Sequence, residues 1–115
     1  MRADVLRGHL DSLILSVVED RPLHGYAIIE ALRERSGGDL DLPTGTVYPA
    51  LRRLERLGYL DSQWSTVSGR KRRTYQVTSA GAAALASDRA AWAQTSRVIG
   101  GILGGPSLHD IVTGE

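Results

Sequence analysis

Arg52, Arg53, Arg56, Arg70, Lys71, Arg72 and Arg73 all fall between Pro43 and Tyr75. The only acids there are Glu55 and Asp61, so the stretch carries a local excess of five positive charges. The remainder holds seven basic and eleven acidic residues, an excess of four negative charges. The net charge of +1 therefore conceals one cationic segment in an acidic chain. Hydroxyl groups (Thr44, Thr46) and phenols (Tyr26, Tyr48) accompany the cations. That mixture suits a polyanion. Each phosphate met by a Lys or Arg releases a condensed counterion, and free amides at a helix start donate to phosphate oxygens. The plain alternative is a solvated arginine-rich surface, and composition alone does not separate the two.

Other chemistries find little material. With no cysteine, disulfides, thiolate metal sites and cysteine nucleophiles are excluded. His9, His24 and His109 share neither i, i+4 nor His-Glu-x-x-His spacing, so no metal site is expected. His24 precedes an apolar helix pattern and reads as a helix-start residue, whereas His9 sits inside an apolar stripe and reads as packing. The run from Gly100 to Gly105 is not a phosphate loop, because no Lys-Ser/Thr follows and no strand precedes it. The expectation is a non-enzyme without cofactor or metal. Val5 to Val18 is too short to span a bilayer and contains Arg7, His9 and Asp11. No small-residue cleavage site follows it, so a cytoplasmic protein is expected.

The elements that must position the cations can be read from periodicity. At 115 residues the chain suits one domain with one real core. Val5, Leu6, Leu10, Leu13, Ile14, Val17 and Val18 give a helix over about 4–19, stopped by Pro22. A second helix follows His24-Gly25 and ends at Gly37-Gly38. In a third, Val47, Ala50, Leu51, Leu54 and Leu57 share one face and Pro49, Arg52 and Arg56 lie opposite. Thr44 or Thr46 is expected to cap it, Pro49 to fall in its first turn and Gly58 to end it. Two strand-like runs, 59–67 and 72–78, flank Ser68-Gly69-Arg70-Lys71, a hairpin with a basic tip. Thr78 then caps a fourth helix, in which Leu85, Trp92 and Ile99 recur every seven residues.

This order is that of a winged helix-turn-helix. The fold expected is mainly α (α+β), with three helices plus a two-stranded β-wing over 1–78, a C-terminal dimerisation helix over 79–105 and a loose tail over 106–115. A helix about 10–12 Å across fits a major groove about 12 Å wide. The residues expected at DNA are Thr44, Thr46, Tyr48, Arg52 and Arg53 of the third helix and Tyr26 of the second. Arg70, Lys71 and Arg72 of the wing join them. Strand alternation keeps all four cations of 70–73 from meeting one DNA backbone.

Several runs carry a family likeness: Leu23-His24-Gly25-Tyr26, the stretch from Thr44-Gly45-Thr46-Val47-Tyr48-Pro49-Ala50-Leu51 to Arg52-Arg53-Leu54-Glu55, Gly58-Tyr59-Leu60, Arg73-Thr74-Tyr75 and Thr78-Ser79-Ala80-Gly81. Over about residues 8 to 103 the chain resembles the PadR family of transcriptional regulators. The resemblance implies a homodimer that binds near-palindromic double-stranded operator DNA, usually as a repressor, and often releases it on binding a small molecule. Leu6 and Leu10 of the first helix and Leu85, Trp92, Ile99 and Leu103 of the fourth are the expected dimer seam. Some short PadR-like regulators of multidrug response carry a tryptophan at a similar place. Trp92 is therefore open to two readings, plain packing in the seam or, with Asp88 nearby, a site for a planar, cationic effector. A rival reading is a winged-helix protein-interaction module without DNA binding, and the excess of five positive charges argues against it.

Overall fold

The computed structural model describes Leu6 and residues 8–104. In chain order it holds α1 (Leu10–Val18), β1 (Leu23–His24), α2 (Gly25–Arg35), α3 (Thr44–Arg56), β2 (Leu60–Val67), β3 (Arg70–Val77) and α4 (Ser79–Leu103). The expected tail over 106–115 and the helix expected before Leu6 lie outside the described residues. Contacts divide the chain into two units, the first ending at Leu85 and the second beginning at Ala86.

The first unit is built around one buried cluster. Ile14, Leu15, Val17 and Val18 of α1 meet Ile28, Ile29 and Leu32 of α2 and Val47, Ala50, Leu51 and Leu54 of α3. Leu60, Tyr75 and Leu85 close it. Leu85 is 1% exposed, which removes it from the expected dimer seam: the monomer's own core has taken it. Leu10 also packs against this cluster. The expected first helix is interrupted: Leu6 is helical, Gly8 adopts φ +87°, a left-handed conformation that breaks a helix, and α1 begins at Leu10. His9 is exposed at the N-cap of α1 and is not a core residue.

Both inter-helix stops follow from glycine. At the end of α3, Gly58 donates to the Glu55 carbonyl and Tyr59 to the Leu54 carbonyl, with Gly58 at φ +80°. This paired arrangement satisfies carbonyls that the helix end leaves open. Gly37 and Gly38 do the same for Glu34 and Arg33 of α2.

The sheet corrects two expectations. It has three antiparallel strands in the order β1-β3-β2, because Leu23 and His24 pair with Tyr75 and Thr74. The hairpin loop is only Ser68-Gly69, at φ +52° and +79°, as a type I′ turn requires. Arg70 and Lys71 are therefore strand residues, paired with Val67 and Thr66, and not the tip.

Thr78 caps α4 as expected, its Oγ1 accepting from Gly81 N–H at 3.0 Å and donating to the Gly58 carbonyl at 2.6 Å. Gly81 has no room for a side chain: a Cβ there would overlap the Tyr59 carbonyl oxygen. Gly45, on the exposed side of α3, would meet nothing within 4 Å. The second unit is the rest of α4, which runs through Gly100 and Gly101 to Leu103 and leaves Trp92, Val98, Ile99, Ile102 and Leu103 exposed.

The two glycines predict opposite outcomes in thermal unfolding. Gly81→Ala is expected to destabilise by about 1–3 kcal/mol, since rigid backbone must move. Gly45→Ala is expected to stabilise by up to about 1 kcal/mol, the helix-propensity gain. Equal midpoints for the two variants would contradict this packing.

Candidate nucleic-acid interface

α3 is divided sharply along its length. Val47, Ala50, Leu51 and Leu54 are buried, while Gly45, Pro49, Arg52 and Arg56, spaced by four, three and four, form an exposed stripe. The helix begins at Thr44 with Pro43 as N-cap, and no side chain caps it. The expected capping by Thr44 or Thr46 is therefore overturned; both lie exposed in the first turn. The first intrahelical bonds run from Thr46 and Val47 to the Pro43 carbonyl, so the amides of Thr44 and Gly45 lie ahead of the ladder. Pro49 lies beyond the first turn, contrary to expectation. It removes the bond that the Gly45 carbonyl would accept.

Between α3 and the wing runs an open groove of about 780 Å³. Arg52 and Arg56 line one side, Lys71, Arg72 and Arg73 the other, and Tyr48, Trp64 and Tyr75 add aromatic surface. Glu55 is its one acid. Register decides which wing residues share a strand face. Lys71 and Arg73 lie with Trp64 and Tyr75, and Arg70 and Arg72 start from the opposite face, in register with Val67 and Ser65, although Arg72 still lines the groove. The three wing cations expected at DNA are thus split between two faces.

Two arginines are taken up by the scaffold. Arg53 forms an ion pair with Asp11 of α1, which turns it away from the groove and sets it apart from the other residues expected at DNA. Arg73 donates from Nε to Ser62 Oγ at 2.8 Å and from Nη2 to Glu55 Oε2 at 3.3 Å, while Ser62 Oγ donates to the same Glu55 oxygen at 2.6 Å. Among the described residues, no ion pair engages Arg52, Arg56, Arg70, Lys71 or Arg72.

Tyr48 is half-buried, with its ring against Gly25; a Cβ on that glycine would lie 2.6–2.8 Å from the ring tip. Tyr26, one residue on, is exposed. His24 is the N-cap of α2, and its Nδ1 accepts the Ala27 N–H at 3.2 Å. Burial lowers the His24 pKa, the Arg72 guanidinium lowers it further, and Glu30 opposes both. Burial and then the Glu55 carboxylate push the Tyr75 phenol above its ordinary value.

The comparisons with known proteins take in most of this unit and reach past its end. The model of the transcriptional regulator PadR-like family matches residues 14–87. The chain belongs to that family. A transcriptional regulator of Mycobacterium tuberculosis is 43% identical over 89 residues, covering 76% of this chain and 80% of its own. A PadR family regulator of Clostridium difficile is similar in structure, with a TM-score of 0.76 and 33% identity over 84% of this chain and 99% of its own. Another from Eggerthella lenta gives 0.76 and 31% over 87% and 86%. Like these PadR proteins, the chain has helices and an antiparallel winged sheet. No helix among the described residues is long and apolar enough to cross a membrane.

Sequence reasoning missed the Glu55–Ser62–Arg73 cluster and the exposed Trp64. The signal was available. With Ser68-Gly69 as a two-residue turn, counting back along both strands sets Trp64 opposite Arg73 and Ser62 opposite Tyr75.

His24 gives a pH prediction. Its folded pKa lies below the ordinary 6.5, so the fold favours the neutral imidazole that accepts from Ala27. Its contribution is complete above pH 6.5 and is lost as pH falls through the depressed folded value. His24→Asn keeps an N-cap acceptor that does not titrate. Between pH 7 and 5 the wild type is expected to lose more stability than this variant; parallel curves would contradict the assignment.

Proposed function

We propose that this PadR-like protein is a homodimeric repressor that binds a near-palindromic operator. The exposed stripe of each α3 enters a major groove and the wing holds the flanking backbone. The observation that carries this reading is the groove between α3 and the wing, where Arg52, Arg56, Lys71 and Arg72 have no ion-pair partner among the described residues. Unpaired cations around an open groove attract phosphates, and an arginine on an exposed helical stripe can reach base edges. Thr44, Thr46 and Tyr26 suit backbone contacts beside it. Arg70 suits a phosphate on the wing's far side.

The test is a mobility shift on the protein's own upstream region at several salt concentrations. Arg52→Ala is expected to weaken specific binding by about 1–3 kcal/mol and to relax sequence preference. Lys71→Ala is expected to weaken binding to every duplex and reduce the salt slope by about one unit. Wild-type protein that shifts no duplex would refute the reading.

Assembly through α4 completes it. Trp92, Val98, Ile99, Ile102 and Leu103 leave a large apolar surface exposed on one helix, more than an isolated helix needs. A two-fold dimer would cover it and match a symmetric operator. Leu6, half-buried, suits a supporting contact there. Asp88 and Trp92 lie four residues apart on one face, which suits a planar cationic effector by ring stacking and charge. In a Trp64→Phe background, Ile99→Asp is expected to halve the sedimenting mass and to abolish quenching of Trp92 by a planar cationic dye. A dimer that survives the charge, or a dye that never quenches Trp92, would refute the corresponding part.

A further inference from the structure

Trp64 is 65% exposed, although an indole is among the most favourable side chains to bury. It lies at mid-strand in β2, away from the turn, on the hairpin face that also carries Lys71 and Tyr75. It lines the groove that Arg52 and Arg56 share. The ring is not loose. The Arg73 guanidinium carbon stands 5.7 Å from its centroid, within cation–π range. Arg73 is itself held by Ser62 and by Glu55 of α3. A short chain of contacts therefore runs from α3 to the indole, and it fixes where the ring stands in the groove.

We propose that Trp64 is a DNA-contacting residue of the wing and that Arg73 is its positioning residue. The inference rests on the DNA-binding reading above and adds to it a contact of different physical kind. The occupant of a groove lined by five cations and one acid is a polyanion. A duplex strand offers more than phosphate: the faces of its deoxyriboses are apolar. Arg73, the cation beside Trp64, already has its charge met by Glu55, so this part of the groove presents a neutral ring and one N–H donor. The indole packs on a deoxyribose, and its Nε1–H donates to an adjacent phosphodiester oxygen. Neither contact neutralises a phosphate, so neither releases a counterion. Trp64 thus supplies affinity that does not decay with salt, beside Lys71 and Arg72, whose contribution does.

The experiment is a titration of a fluorescent duplex from the upstream region across a salt series. It uses full-length wild type, Trp64→Ala, Trp64→Phe and Arg73→Lys. Trp64→Ala is expected to weaken binding by about tenfold at every salt concentration, the loss of one buried aromatic contact, with the slope of the wild type. Trp64→Phe keeps packing but loses the donor, and is expected to fall between. Arg73→Lys keeps the charge but not the planar stacking group, and is expected to show part of the Trp64→Ala loss, again without a change of slope. The emission difference between wild type and Trp64→Phe isolates Trp64 and is expected to change on saturation with unlabelled duplex. Thermal midpoints near that of the wild type verify that the exposed substitution leaves the fold intact. If the wild type binds DNA while Trp64→Ala binds within twofold of it, or with a slope lowered as in Lys71→Ala, the proposal is overturned and the DNA-binding reading stands. If the wild type binds no duplex, both fall together.

Discussion

Val47, Ala50, Leu51 and Leu54 are each at most 1% exposed, and they lie along one side of α3. Burying such a stripe is favourable by roughly 1.5–3 kcal/mol for each large aliphatic side chain. It also fixes the rotation of the helix about its axis. Turning α3 by one residue, about 100°, would bring Arg52 toward the core, where an unpaired charge is far costlier than any packing gain. The exposed stripe of Gly45, Pro49, Arg52 and Arg56 is the consequence. Pro49 can sit beyond the first turn because it lies on the solvent side, where water can meet the carbonyl it strands.

The rest of the first unit turns that fixed helix into a groove. Thr78 ties the end of β3 to Gly58 at the end of α3, and Gly81 lets α4 approach the Tyr59 carbonyl. Glu55 and Ser62 tie Arg73 of the wing to α3 itself. Seven cations in the basic segment thereby divide by role. Arg53 and Arg73 are paired with Asp11 and Glu55 and serve the scaffold, while Arg52, Arg56, Arg70, Lys71 and Arg72 have no ion-pair partner among the described residues. The local excess of charge visible in the sequence overstates what faces a ligand, and its distribution over two wing faces matters more than its sum.

Helix order, the glycine stops and the buried face of α3 were legible in the sequence, because each depends on local chemistry: 3.6-residue periodicity and the left-handed tolerance of glycine. What was not legible depends on pairing across the chain. β1 is two residues long and exists only because β3 offers it an edge. The early start of β3 hinged on assigning Ser68-Gly69 as the whole loop, and a sequence rich in arginine blurred the strand signal there. Leu85 looked like a seam residue because heptad spacing cannot tell a monomer's core from a dimer's. Arg53 looked like its neighbour Arg52 because a single helix pattern does not reveal Asp11, 42 residues away.

In the proposed function the fixed stripe of α3 reads DNA twice, once from each copy. Hydroxyl-radical footprinting on the upstream region tests it most directly, since it maps the protected backbone nucleotide by nucleotide. Two protected patches related by a two-fold axis are expected, their centres about 10 base pairs or a multiple apart, each flanked by weaker protection from the wing. A single patch, or protection without helical phasing, would contradict it.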